Sequence, residues 1–370
     1  MTPGLVYFLS LEMGVLDFRH EFLWLNGKNE FLWMSEKDGW SHIYRISKDG
    51  AREILITKGD YDVIDFLAVD EKSNYVYFNA SPANATQKYL YKTKLDGKGK
   101  LELVTPAGLE GTHGYDISPN SKFAQHSFSN MSTRPVSELV DLVKYKALDE
   151  HEGIQSKLTS LPSSKKAEFF KTEEGYIYMS VNGRGTPAPK GRAWRKSIYR
   201  KIGQLNIRDQ ALAAKEILKW SFVDPERIAV WGWSGGGSAT LNLLFQYPEI
   251  YKTGIAGAAV ANQLTYDNIY QERYMGLPQE NLQDIVNGSP VTHAKNLKGN
   301  LLYIHGTGDD NVHYNNAEML INELIKYNKQ FQMMAYPNRS HGMSEGEGTF
   351  EHLATLGTEY LKKHCPPGGR

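Results

Sequence analysis

Three residues far apart in the chain have the types that acyl transfer needs: Ser234, Asp309 and His341. Ser234 stands in Gly232-Trp-Ser-Gly-Gly236, after the apolar run 228–231 and before the helix-capable run 238–246. A serine on a sharp turn between strand and helix is presented at the top of a sheet. Glycines beside it let the two backbones pass closely. A hydroxyl is a weak nucleophile until a base takes its proton, and the base needs an orienting carboxylate. Two later strand-like runs end in loops that could supply both. Residues 301–305 lead into Gly306-Thr-Gly-Asp309-Asp310-Asn311, and residues 331–335 lead into Tyr336-Pro-Asn-Arg-Ser-His341-Gly342. Asp309 and Asp310 both suit the acid, and Asp309 is preferred because it is nearer the strand end. Among the eleven histidines, His341 alone falls in a loop after the last strand. His305 lies inside a strand and reads as a core residue, while His313 and His352 read as lying on helical faces.

The elements around these residues alternate. From Gly175 onward five strands are expected, at 176–181, 227–231, 253–256, 301–305 and 331–335, with helices between them at 209–219, 316–325 and 350–362. Alternating strands and helices imply a parallel sheet. With the chain order Ser, Asp, His, the fold class is an α/β-hydrolase. It is incomplete, because the serine turn normally follows the fifth of about eight strands, so about three are missing at the front. A gap is then expected beside the nucleophile strand, unless 176–181 slides over to fill it.

The preceding part is β-rich. Residues 42–50 and 89–97 repeat one pattern with a shift of 47 residues, each ending in Asp-Gly. Short strands recurring with a period in the forties read as propeller blades, and about three would fit. The Asp-Gly pairs suggest type I′ hairpin turns, with φ > 0 at both residues. Trp24, Trp33 and Trp40 read as aromatics that pack the blades. The expected domains are a partial β-propeller over 1–160 and a hydrolase domain over 161–370, joined by a polar connector around Leu161-Pro-Ser-Ser-Lys-Lys166.

Lys+Arg and Asp+Glu are equal at 42, so no overall field favours nucleic acid. No apolar run approaches the ~18 residues of a membrane span. A single cysteine, Cys365, excludes an internal disulfide. The first ten residues have no basic region and no cleavage pattern, which suggests a cytoplasmic protein unless a targeting segment lies further upstream. The chemistry calls for no cofactor and no metal.

Gly232-Trp-Ser-Gly-Gly236, Tyr266-Asp-Asn-Ile-Tyr-Gln-Glu-Arg-Tyr-Met-Gly-Leu-Pro278 and His305-Gly-Thr-Gly-Asp-Asp-Asn-Val-His313 resemble the dipeptidyl peptidase IV branch of the prolyl oligopeptidase family. Asn182-Gly-Arg-Gly185 fits as well. The resemblance runs from about residue 20 to the C-terminus and implies a serine exopeptidase that releases N-terminal dipeptides after Pro or Ala. It implies Ser234 as nucleophile, Asp309 as acid, His341 as base and the Gly235 N–H as an oxyanion donor. Tyr266 and Tyr270 would wall a pocket for a small P1 residue, with Val260 and Val312 beside them, and Asn311 would contact the substrate carbonyl. Peptides are the implied substrates, and a homodimer is compatible with the family.

The chain also departs from the family. Gly235 replaces the usual tyrosine after the serine, and Gln263 replaces a common aromatic. The Tyr-Gly-Gly-Pro-like segment with the second oxyanion donor has no counterpart, nor does the acidic pair that grips the substrate amine. Two alternatives therefore stay open: a general esterase or acylpeptide hydrolase, and a catalytically impaired form acting as an interaction module.

Overall fold

A computed structural model describes residues 4–8, 22–130, 133–148 and 175–368. The polar connector expected around residue 161 lies outside them. The described chain forms one six-stranded sheet and three four-stranded sheets. They belong to two compact units, one holding the parallel sheet and the other the antiparallel sheets.

The six-stranded sheet is built from β1 (Gly4–Phe8) and five later strands, β14 (Tyr176–Met179), β15 (Ile228–Trp233), β16 (Thr253–Gly257), β17 (Asn300–Gly306) and β18 (Gln332–Tyr336). Its order is β14-β1-β15-β16-β17-β18, with every neighbouring pair parallel. The expected gap beside the nucleophile strand is filled, and not by 176–181. Instead β1 pairs with β14 on one side and β15 on the other, Leu5 opposite both Ile177 and Ile228. This corrects the expectation of a propeller beginning at residue 1, since Gly4–Phe8 belongs to the parallel sheet. Residues 187–195 likewise group with the antiparallel unit.

The strands at the middle of the sheet read as continuous apolar runs because helices cover their faces. Every residue of β16 is buried, and so are residues 301–306 of β17. The longer helices of this unit are α1 (Leu205–Ile217), α2 (Gly235–Gln246), α3 (Asn268–Met275), α4 (Pro278–Gly288), α5 (Asn315–Lys326) and α6 (Thr349–His364). α2 buries Leu241, Leu243, Leu244 and Phe245 completely. Each contributes about 1.5–3 kcal/mol of burial, which anchors the helix that starts at the serine turn.

In the other unit the sheets follow the sequence repeat. They comprise β2 (Phe22–Leu25), β3 (Glu30–Ser35), β4 (His42–Ser47) and β5 (Glu53–Leu55); β6 (Val63–Asp70), β7 (Tyr75–Ala80), β8 (Tyr89–Lys94) and β9 (Glu102–Leu103); and β10 (Thr112–Ile117), β11 (Phe123–Asn130), β12 (Thr133–Asp141) and β13 (Lys146–Ala147). The Asp-Gly turns differ from the expected type. Only the glycines have positive φ, 73° at Gly50 and 69° at Gly97. Gly50 N–H donates to Ser47 O at 2.8 Å, and Gly97 N–H to Lys94 O at 3.2 Å. The connecting loops are longer than two residues, so a glycine after an ordinary turn suffices and the aspartate keeps negative φ. Both aspartates instead accept a backbone N–H two residues on, from Ala51 and Lys98. Trp24 and Trp33 are 39% and 41% exposed, and Trp24 packs edge to face on Phe31 of the neighbouring strand, with centroids 5.5 Å apart.

Candidate active site

The serine turn is strained where a nucleophile needs it. Ser234 has φ 55° and ψ −120°, directly between β15 and α2. A non-glycine residue in such a conformation costs on the order of 1–3 kcal/mol, so its surroundings must hold it. They do. Ser234 N–H donates to Gly257 O at 2.9 Å, and Ser234 O accepts from Ser238 N at 2.9 Å and Ser238 Oγ at 3.2 Å. At Gly232 a Cβ would lie 2.3 Å from the carbonyl carbon and oxygen of Gly236. Gly235 is the first residue of α2. Its N–H therefore has no acceptor within the helix and lies at the positive end of the helix dipole.

The acid and base candidates meet. Asp309 is 4% exposed, whereas Asp310 is exposed. Asp309 Oδ1 accepts the N–H groups of Asn311 at 3.0 Å and Val312 at 2.9 Å. Its Oδ2 accepts from His341 Nδ1 at 2.8 Å. A carboxylate only accepts, so Nδ1 carries the proton and the neutral ring keeps its lone pair on Nε2. The His341 carbonyl accepts from Trp233 Nε1 at 2.9 Å, which ties the base's loop to the residue before the serine. Glu345 accepts the Ser340 N–H and closes that loop, and this bond holds its carboxyl below the ordinary range. Among the described residues no hydrogen bond joins Ser234 Oγ to His341. In unliganded sites such bonds are often long and tighten with substrate.

The pocket candidates fall into two groups. Tyr266 and Tyr270 meet edge to face, with centroids 5.2 Å apart, and Tyr270 stacks at a tilt on Tyr274 at 4.8 Å. Tyr266 OH donates to Asn311 Oδ1 at 2.8 Å, linking α3's approach to the acid's loop. With its Oδ1 engaged, the Asn311 side-chain NH₂ remains a donor. Burial, then the neighbouring Asp267, pushes the Tyr266 phenol up to about 12. Burial also raises that of Tyr270, so both are neutral hydroxyls at physiological pH. Val312 is fully buried next to Asn311, and Val260 is buried in the loop after β16, with no described bond joining Val260 to the tyrosines. Gln263 is buried and turns inward, donating from Nε2 to Ile202 O at 3.3 Å. Arg184 of the Asn-Gly-Arg-Gly stretch grips Asp209 of α1 with two bonds, 2.7 and 2.6 Å long.

Two features escaped the sequence reading. One is the Trp233 to His341 tie. The other is His305, expected as a mere core residue, whose Nε2 lies 3.3 Å from Asp309 Oδ2. A histidine four residues before the acid, at a strand end, was the available signal.

Residues 162–366 match the model of the prolyl oligopeptidase family, more than half of the sequence. The chain belongs to the prolyl oligopeptidase family. Residues 8–135 match the dipeptidyl peptidase IV N-terminal region, which takes in most of the antiparallel sheets. Dipeptidyl peptidase 4 of Trichophyton equinum is 31% identical over 360 residues, covering 81% of this chain and 46% of that protein. The cat enzyme of the same name is 29% identical, covering 91% and 52%. The crystal structure of Porphyromonas gingivalis dipeptidyl peptidase 4 superposes with a TM-score of 0.77 at 27% identity, covering 93% of this chain and 55% of that one. This prolyl oligopeptidase family chain thus spans about half the length of the curated relatives it matches. Among the described residues no helix is long and apolar enough to cross a membrane.

Proposed function

We propose that this chain carries the catalytic apparatus of a serine exopeptidase that releases N-terminal dipeptides after Pro or Ala. The observation that carries this reading is the 2.8 Å bond from His341 Nδ1 to Asp309, in a loop tied through Trp233 to a serine held at φ 55°. In the proposed reaction His341 Nε2 takes the Ser234 proton as Oγ bonds to the scissile carbonyl carbon. The Gly235 N–H, at the start of α2, faces the developing oxyanion. The tetrahedral intermediate collapses, the C–N bond breaks, and His341 gives its proton to the leaving amine. Water then repeats the sequence on the acyl-enzyme, with His341 again as base. Tyr266 and Tyr270 bound the P1 side chain beside Val260 and Val312, and the Asn311 NH₂ donates to the substrate carbonyl. We read the three antiparallel sheets as propeller blades, and the division near residue 160 as the start of the hydrolase domain, to which β1 returns.

A Gly-Pro or Ala-Pro chromogenic amide tests the reading. Hydrolysis is expected to fall at least ~10³-fold in Ser234→Ala, since a triad serine acts in concert with its base. Equal rates in the two proteins would refute the proposal. The absence of a side chain at Gly235 favours a second reading, a general esterase. Turnover of a p-nitrophenyl ester without any of the amides would select it.

A further inference from the structure

We propose that His305 is a positioning residue for Asp309, sharing the acceptor oxygen Oδ2 with His341 and thereby setting how strongly the acid holds the base. This rests on the peptidase reading above. His305 is the penultimate residue of β17 and is fully buried. Its Nε2 lies 2.8 Å from Val312 O and 3.3 Å from Asp309 Oδ2. Carbonyl and carboxylate oxygens only accept, so Nε2 carries the proton, donating to Val312 O with Asp309 Oδ2 as the longer, secondary contact. The other ring nitrogen, Nδ1, is then an acceptor, and the Tyr303 hydroxyl lies 3.3 Å from it.

The remaining groups around the ring keep it neutral. Burial is the largest influence, and it pushes the imidazole below its ordinary value against the pull of Asp309. The phenol of Tyr303 is raised by its own burial, and the ring of Tyr314 stands edge-on at 5.7 Å. Asp309 and His341 are the only other titratable groups bonded to this cluster among the described residues.

The donors at the carboxylate can be counted. Oδ1 takes the amides of Asn311 and Val312, and Oδ2 takes His341, with His305 Nε2 as a longer contact at 3.3 Å. An ionised carboxylate has about four lone-pair sites; three accept hydrogen bonds, and the His305 N–H stands nearest the fourth. Without the His305 donor, Oδ2 would face His341 alone. Its negative charge would be less compensated, and it would hold the imidazolium more tightly. A histidine that merely filled the strand would have no such effect on its neighbour.

His305→Phe removes the donor and keeps a ring, while His305→Gln returns an N–H at similar reach. The readout is the titration of the His341 imidazole, followed by NMR of ¹³C-labelled histidine, which needs no turnover. In His305→Phe the midpoint should rise by about half a pH unit or more, roughly a threefold gain in proton affinity. His305→Gln should reverse most of that rise. In the active enzyme the acid limb of the kcat/KM profile should move by the same amount. A midpoint that stays or falls in folded His305→Phe overturns the proposal, as does failure of His305→Gln to restore it. If His305→Phe does not fold, ¹⁵N spectra of the wild-type ring decide. They should show the Nε2–H tautomer at neutral pH, and the opposite tautomer overturns the proposal. The expected shifts in a protein without amidase activity would sink the peptidase reading alone and leave the His305 contact standing.

Discussion

Asp309→Asn is expected to lower amide turnover about 10⁴-fold while the protein stays folded. The reason lies in which oxygen faces which donor. Oδ1 accepts two backbone N–H groups, so an asparagine must place its carbonyl oxygen there. Its NH₂ then occupies the place of Oδ2, pointing at His341 and His305. Facing a donor, His341 must expose a lone pair at Nδ1 and move its proton to Nε2. The serine would then meet an N–H instead of a base. The substitution keeps size and shape, so the loss falls on kcat through the tautomer and not on the fold. Steady-state rates on an Ala-Pro amide, with circular dichroism as the folding control, check this. Retention within tenfold of wild type would mean that Asp309 does not orient the base.

Gly232→Ala is expected to cost on the order of 3 kcal/mol of stability and to abolish reaction at Ser234. Here the new methyl would meet backbone, not a side chain that could rotate away. Its Cβ would lie 2.3 Å from the carbonyl carbon and oxygen of Gly236, in the first turn of α2. Strand and helix must separate to admit it. Ser234 lies between them, so its φ of 55° and the orientation of the Gly235 N–H change together. Thermal unfolding and single-turnover acylation measure the two effects. A variant with wild-type melting and acylation would show that the close approach at this turn is dispensable.

The candidate site was more legible in the sequence than the sheet that bears it. Ser234, Asp309 and His341 each follow an apolar run, so local pattern and chain order mark them. The choice between Asp309 and Asp310 was also local, because the first acid after the strand turns back onto the amides of Asn311 and Val312. β1 was not legible. Its partners at Tyr176 and Ile228 lie far away in the chain, and nothing within five apolar residues says which sheet they join. Nor could residue types alone settle the Asp-Gly turns, where loop length decides the sign of φ at the aspartate. The contact of His305 with the acid arises only because the loop after β17 doubles back over the strand end. Periodicity places a histidine in a strand but does not describe what its edge meets.

Mass-spectrometric mapping of a fluorophosphonate adduct tests most directly whether this serine, acid and base act as one unit. The account predicts a single modified serine, Ser234, with labelling that slows sharply in Asp309→Asn and in His341→Ala. An unlabelled Ser234 in the folded protein, or labelling at the same rate in all three, would contradict it.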